Sequence, residues 1–223
     1  MTEEIREAII LAGGDAWRLK PDIWIPKPLL KLNELTLLEY QLSWLIKHKF
    51  NHIIIASREK YPIKEGYEPY VEFSVEQEKK GTGGAVLIAS DLLKTKIFYL
   101  MNVDDLLFGF NPNLLYYPDT EVKMVVAKPR LGFGRVELRQ DLVLHFKEKP
   151  YLDFYVNAGH YLFKKHIVDK YFPEIGNLED TVLPRLAEER KLFAHRFHGK
   201  WITINTYKDY MEAKDIVETL SKT

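Results

Sequence analysis

The sequence predicts an α/β fold: a doubly wound, mostly parallel sheet with helices on both faces, followed by a β-rich second half. Three observations carry this. Strand-length apolar runs alternate with helical periodicities as far as Glu121. Glycine-containing loops follow the ends of several of those runs, as they do where ligands bind an open α/β sheet. Beyond Glu121 the apolar pattern shortens to strand-sized segments separated by tight turns.

Taken in order, Ala8 to Ala12 is a short run suited to a strand buried on both faces. From Leu35 to Lys49 the residues Leu35, Leu38, Leu42, Leu45 and Ile46 recur at helical spacing, and Thr36 with Glu39 forms a capping box. His52–Ser57, Tyr70–Glu76 and Lys96–Asp105 read as the next strands, with a short apolar helix over Gly83–Leu93. Strands follow in "EVKMVVAK", "GRVEL", "LVLHFKEK" and "FYVNAGHYLF", then helices at Lys164–Tyr171 and Leu178–Glu189. Lys200–Asn205 is a late strand and Tyr207–Leu220 a closing amphipathic helix. There is no internal repeat and no linker-like tract, so one domain spanning 1–223 is expected.

Composition narrows the partners. With 223 residues, 46% of them hydrophobic, the chain can bury a substantial core. Lys+Arg and Asp+Glu are both 32, so the molecule as a whole has no electrostatic pull toward nucleic acid or an anionic membrane, and an anion site must be local. Without cysteine there is no disulfide framework and no thiolate metal site or nucleophile. No apolar stretch has the length of a signal or spanning segment, so a cytoplasmic protein is expected.

A local anion site is suggested by "LAGGDAWRLKPDIWIPKPL", Leu11 to Leu29. Gly13-Gly14 allow backbone N–H groups to approach a phosphate closely. Arg18 offers a planar fork and Lys27 a point charge. Pro26 and Pro28 flank Lys27 and fix the backbone on both sides of it. A third glycine is missing, as is Gly-Lys-Ser/Thr, so neither a dinucleotide fingerprint nor a Walker loop is present.

The same stretch resembles the N-terminal signature of the sugar-1-phosphate nucleotidylyltransferases, a family that includes NDP-hexose pyrophosphorylases and guanylyltransferases acting on mannose 1-phosphate. Matching residues are Leu11, Ala12, Gly13, Gly14, Arg18, Leu19, Pro21, Pro26, Lys27, Pro28 and Leu29. "EQEKKGTGGAV" is similar to the family's base-contacting loop, "MNVDD" to its metal motif, and "GFGRV", "KEKP" and "NAGHYLF" to its sugar-side elements. "WITINTYKDYMEA" corresponds to a segment that normally carries a second metal aspartate.

The resemblance implies a Rossmann-like nucleotide-diphospho-sugar transferase fold and a reaction in which a sugar 1-phosphate displaces pyrophosphate from the α-phosphorus of an NTP, assisted by Mg²⁺. It implies nucleotide contacts from Leu11, Ala12, Gly13, Gly14, Gln77, Gly81 and Thr82. Arg18 and Lys27 would bind phosphate oxygens, Asp104 would ligate the metal, and Gly134, Glu148, Lys149 and Asn157 would contact the sugar phosphate. "GTGGAV" has the character of guanylyltransferases acting on mannose or heptose 1-phosphates, although thymidylyl- and uridylyltransferases share most of the frame. Ala16, Trp17, Val103, Thr203 and Asn205 depart from the pattern, Thr203 standing where the second metal aspartate is usual. Three readings follow: an active transferase, a catalytically weak homologue that binds nucleotide or NDP-sugar as a regulatory subunit, and cytidylyl transfer on the same fold. The expected partners are an NTP and a sugar 1-phosphate, with homo-oligomerisation left open and no C-terminal β-helix domain.

Overall fold

The computed structural model describes residues 4–14 and 24–221. In chain order the elements are β1 (Glu7–Leu11), the paired β2 (Lys31–Leu32) and β3 (Leu35–Thr36), α1 (Leu37–Lys47), β4 (His52–Ser57), β5 (Val71–Val75), α2 (Gly81–Ser90), β6 (Ile97–Asn102) and β7 (Asp105–Phe108). There follow β8 (Val122–Ala127), the hairpin β9 (Arg135–Arg139) and β10 (Leu142–Lys147), β11 (Val156–Lys164), α3 (Lys165–Tyr171), α4 (Leu178–Glu188), β12 (Leu192–Phe197), β13 (Lys200–Thr203) and α5 (Tyr207–Ser221).

Seven strands form the central sheet in the order β12-β8-β11-β6-β1-β4-β5. Every pairing in it is parallel except the two made by β11, which runs against β6 and β8. The mostly parallel sheet expected from the strand–helix alternation is therefore present. β13 pairs antiparallel with β7 beside the sheet, Thr203 opposite Asp105.

Alternation along the strands divides the core in two. Ala8 and Ile10 of β1, Ile53 and Ile55 of β4, and Tyr99 and Met101 of β6 meet the buried leucines of α1 and Ala213 and Val217 of α5. Ile9 and Leu11, Ile54 and Ala56, and Phe98 and Leu100 face α2, α3 and α4 on the other side. A strand with apolar residues at both parities must be covered on both faces, which the short apolar runs required. α1 begins at Leu37, two residues after the apolar spacing starts and directly after Thr36, which caps it as the sequence led one to expect. Glu39 N donates to Thr36 Oγ1 at 3.1 Å and Thr36 N to Glu39 Oε2 at 2.7 Å, the full capping box.

Other elements also differ from the sequence expectation, among them the β2–β3 pair, which is not predicted. Leu192–Phe197 is not predicted as a strand, because its apolar run is interrupted by His195 and Arg196 and it lies at the sheet edge, where alternate residues stay exposed. "KIFYLMNVDD" is predicted as one strand, but it breaks at Val103-Asp104 into β6 and β7, with neither glycine nor proline to mark the turn. Asp104 thereby sits at the tip of that turn. Among the described residues no helix is long and apolar enough to cross a membrane.

Two buried polar groups tie the sheet together. Glu7, 2% exposed at the start of β1, accepts hydrogen bonds from His52 Nδ1 (2.6 Å), Lys94 N (3.0 Å), Thr95 N (2.5 Å) and Thr95 Oγ1 (2.5 Å). Burial alone would raise its pKa, but the donors from Thr95, His52 and Lys94 outweigh it and the carboxyl titrates below its ordinary range. On β11, His160 Nδ1 accepts from the Tyr99 hydroxyl at 2.7 Å, and its Nε2 donates to the Asp105 carbonyl oxygen at 3.0 Å. Burial pushes the His160 imidazole down to about 3, against a smaller upward effect of the Asp105 hydrogen bond.

Glu7→Ala removes a buried carboxylate and leaves the Lys94 and Thr95 amides without the acceptor they share, and should cost about 3 kcal/mol in urea unfolding at pH 7; a loss under about 1 kcal/mol would contradict the assigned role. For His160 the unfolded state takes up a proton near pH 6.5 while the folded state resists until about pH 3, so its contribution is whole above pH 6.5 and lost as pH falls toward 3. Between pH 7 and 5 the native protein should lose about 2 kcal/mol more than a His160→Gln variant. Equal losses would show that His160 charges without cost.

Candidate functional site

The carboxyl ends of β1, β4 and β6 open onto a cleft of about 250 Å³. The loops that leave those strands and β5 bring Leu11, Gly13, Gly14, Glu76, Gly81, Thr82 and Asp104 to its wall, joined by Arg58, Lys79, Asn102, Asn177 and Glu179. This is the edge at which an open α/β sheet presents its loops to a ligand. Ala12 lies just behind, fully buried, with its carbonyl accepting from the Tyr61 hydroxyl at 3.3 Å. Arg18, with Ala16 and Trp17, lies outside the described residues.

At one end of the cleft a carboxylate stands beside the Gly13 backbone. A Cβ on Gly13 would fall 3.7 Å from Glu76 Oε1, and Glu76 Oε2 accepts from Lys80 N at 3.2 Å. The residue that lines the cleft is thus Glu76, while its neighbour Gln77 is exposed and not part of the wall. The reason is local: Glu76 N continues the β5 ladder onto Ser57 O at 2.9 Å, which settles which way this residue faces. Sequence spacing alone is one residue too coarse to see it.

The "GTGG" glycines serve close packing. Gly81 has φ +78°, and added Cβ atoms at Gly81, Gly83 and Gly84 would collide with the 174–177 loop. Gly83 N donates to Gly176 O at 2.9 Å, so part of the α2 N-terminus is already occupied by that loop. Thr82 Oγ1 accepts from Leu178 N and donates to Glu179 Oε2, both at 2.8 Å, and so anchors the start of α4. This contact carries Asn177 and Glu179 into the cleft from roughly a hundred residues away in sequence, beyond the reach of motif reading.

At the other end Lys27 Nζ donates to Asp104 Oδ2 at 2.5 Å and lies 3.5 Å from Asn205 Oδ1. Lys27 opens a single 3-10 turn, Lys27–Leu29, with Pro26 before it and the buried Pro28 within it, so the ammonium is presented by a stiff backbone. Val103, where the resembled motif has glycine, turns its side chain into the core and donates its amide to Leu11 O at 3.1 Å.

Asp105 points away from the cleft. Its Oδ1 accepts from Trp201 Nε1 and its Oδ2 from Asn102 Nδ2, both at 3.0 Å. Burial and the Asp104 carboxylate raise its pKa to about 7, against the hydrogen bonds from Asn102, Trp201 and Thr203. Thr203 is engaged on both sides, accepting from Asn205 Nδ2 at 3.2 Å and bonding the Asp105 carboxyl. An aspartate at 203 would place a second carboxylate opposite Asp105 in the β7–β13 register; the hydroxyl avoids that repulsion. Gly159, at φ +72°, passes close over the Asp105 carboxyl, where a Cβ would overlap Oδ2.

The expected sugar-side residues form separate groups outside this cleft's wall. A Cβ at Gly134 would lie 3.1 Å from Glu148 Oε2, and Glu148 pairs with Lys149 at 3.5 Å. Lys149 has φ +43° although proline follows, a costly conformation that Arg130 Nε supports by donating to Lys149 O at 2.9 Å. Asn157 donates to the Tyr161 hydroxyl at 2.5 Å and accepts from Gly159 N at 3.0 Å, which sets it near the Asp105 side. A second cavity of about 580 Å³ lies beyond β8 and β12, walled by Lys128, Arg130, Tyr151, Trp201 and Thr203 among others. Among the described residues no three His, Asp or Glu side chains converge to cage a metal unaided.

Comparison with known proteins agrees with this geometry. Residues 7–219 match the family described as Nucleotidyl transferase. D-glycero-alpha-D-manno-heptose 1-phosphate guanylyltransferase of Campylobacter jejuni is 30% identical, over 92% of this chain and 96% of its own. Mannose-1-phosphate guanylyltransferase catalytic subunit beta of Dictyostelium discoideum is 26% identical over 92% of this chain. The chain spans 62% of the length of that relative. The crystal structure of HddC from Yersinia pseudotuberculosis superposes with a TM-score of 0.74 at 23% identity, covering 95% of this chain and 99% of that one, a likeness of fold. With the phosphate-type loop, the acidic turn and the glycine-rich helix start all converging on one sheet edge, the chain belongs to the nucleotidyl transferase family.

Proposed function

We propose that the protein transfers a guanylyl group from GTP to a hexose or heptose 1-phosphate, releasing pyrophosphate. The observation that carries the choice of base is the Glu76 carboxylate beside Gly13, with Glu179 in the same wall. Guanine presents adjacent N1–H and N2–H₂ donors, which a carboxylate can accept together. Uracil and thymine place carbonyl oxygens on both sides of a single N–H, and a carboxylate would repel them. The similarity to two guanylyltransferases supports the same base, and the heptose and mannose 1-phosphates in their names support the acceptor class.

In this reading the base lies toward Glu76, Gly81 and Thr82, and the triphosphate runs over the Gly13-Gly14 amides toward Lys27 and Asp104. Arg18 joins the phosphate contacts on the strength of its place in the sequence motif. The acceptor's phosphate oxygen is itself the nucleophile, so the protein needs no covalent intermediate; its work is to align two anions and offset their charge. Lys27, held by its turn, takes charge from the pyrophosphate as it leaves. Glu148, Lys149, Gly134 and Asn157 orient the acceptor.

Asp104 fits a divalent ion of the Mg²⁺ class: one hard carboxylate at the lip of the cleft, to be completed by substrate oxygens and water, since among the described residues no three acidic or histidine side chains gather to cage an ion. When bound, such an ion offsets triphosphate charge. Thr203, committed to Asp105 and Asn205, is not counted as a ligand. The regulatory reading would keep nucleotide binding without turnover.

Pyrophosphate release with each of four NTPs and a panel of sugar 1-phosphates, in Mg²⁺, should show turnover with GTP and a mannose- or heptose-type acceptor. Nucleotide binding without release from any pair would overturn transfer in favour of regulation. Replacing Glu76 by Gln should lower kcat/KM for GTP by about tenfold or more and narrow its preference over UTP. An unchanged GTP:UTP ratio would remove Glu76 from base selection.

A further inference from the structure

We infer that Gln41, on α1 and outside the cleft, is a positioning residue for Asp104. This rests on the proposed metal-assisted transfer. Asp104 lies on a two-residue turn between β6 and β7, so no regular ladder of its own sets where its carboxylate points. The turn is nevertheless pinned. Gln41 Nε2 donates to Val103 O at 3.1 Å and to Asp105 O at 2.8 Å, the carbonyls on either side of Asp104. His160 Nε2 adds a second donor to Asp105 O at 3.0 Å, and Ile204 N donates to Asp104 O at 2.9 Å.

The amide orientation follows from chemistry, because only the NH₂ end of Gln41 can serve two carbonyl oxygens. Gln41 is 2% exposed, on a helix whose other inward residues are mainly leucines. A leucine or methionine would pack there without the desolvation cost of an amide. What the amide adds is a fork that fixes both peptide planes around Asp104. The His160 tautomer is set in turn by Tyr99, whose hydroxyl donates to Nδ1, and Trp44 packs against both rings at 6.1 Å between centroids. Metal-ligating carboxylates tolerate displacements of only about half an ångström, and loss of a supporting group typically costs metal affinity about 10–100-fold.

The test compares the full chain with Gln41→Met, Asp104→Asn and Trp44→Phe, measuring Mn²⁺ affinity with GTP present by electron paramagnetic resonance, GTP affinity without metal, kcat and KM. Gln41→Met should weaken Mn²⁺ affinity by about tenfold and lower kcat similarly, with metal-free GTP affinity and KM for the acceptor within about twofold. Trp44→Phe, a packing change in the same cluster, should lower Tm and leave Mn²⁺ affinity alone. Wild-type Mn²⁺ affinity in folded Gln41→Met overturns the inference while the functional reading stands. Mn²⁺ affinity unaffected by Asp104→Asn overturns the metal reading and the inference with it. If Gln41→Met does not fold, His160→Phe, which removes the other donor to Asp105 O, carries the same expectation.

Discussion

The site depends on one contact, the 2.5 Å pair between Lys27 Nζ and Asp104 Oδ2, with the two side chains 12% and 21% exposed. Lys27 belongs to the segment that follows the first core strand, and Asp104 to the turn after a strand that neighbours it in the sheet. Their meeting therefore requires the β1–β6 pairing and the stiff proline turn to be formed together. Each charge compensates the other in the free protein. In the proposed function a triphosphate would engage Lys27 and free Asp104 for a cation, so the same two groups would serve the empty and the loaded states.

Around this pair, the architecture separates holding from contacting. The two faces of the sheet are plain apolar packing, set by strand alternation. Polar support is concentrated at the two ends of the strands. Glu7 stitches the amino-terminal end, away from the cleft, while Gln41, His160, Asn102, Trp201 and Thr203 converge on the Asp104–Asp105 turn at the carboxyl end. The buried hydrogen-bonding groups at that turn are costly unless satisfied, and their density there is what rigidifies an otherwise short loop.

Much of this was legible in the sequence. Apolar runs such as "HIIIAS", the Thr36–Glu39 box and the glycine loops after strands yielded the fold, and "LAGG…PKPL" and "NVDD" located both halves of the cleft. What escaped depended on registers and on distance along the chain. Glu76 rather than Gln77 faces the cleft because of one ladder bond at the end of β5. Asn177 and Glu179 arrive only because three glycines of α2 let the 174–177 loop come into contact. Thr203 could be read as a missing carboxylate; that its hydroxyl serves the Asp105 carboxyl instead needed the β7–β13 pairing. The strand at Leu192–Phe197 lacked a signal because edge strands need not alternate cleanly.

The central claim is that a guanine nucleotide spans this cleft from Glu76 to the Lys27–Asp104 pair. A crystal structure of the protein with Mn²⁺ and a non-hydrolysable GTP analogue tests it most directly. The account predicts an anomalous manganese peak on the Asp104 carboxylate, Lys27 Nζ turned to a phosphate oxygen, and the N1–N2 edge of guanine on Glu76. A nucleotide seated instead in the cavity walled by Arg130, Tyr151 and Trp201, with Lys27 still on Asp104, would contradict it.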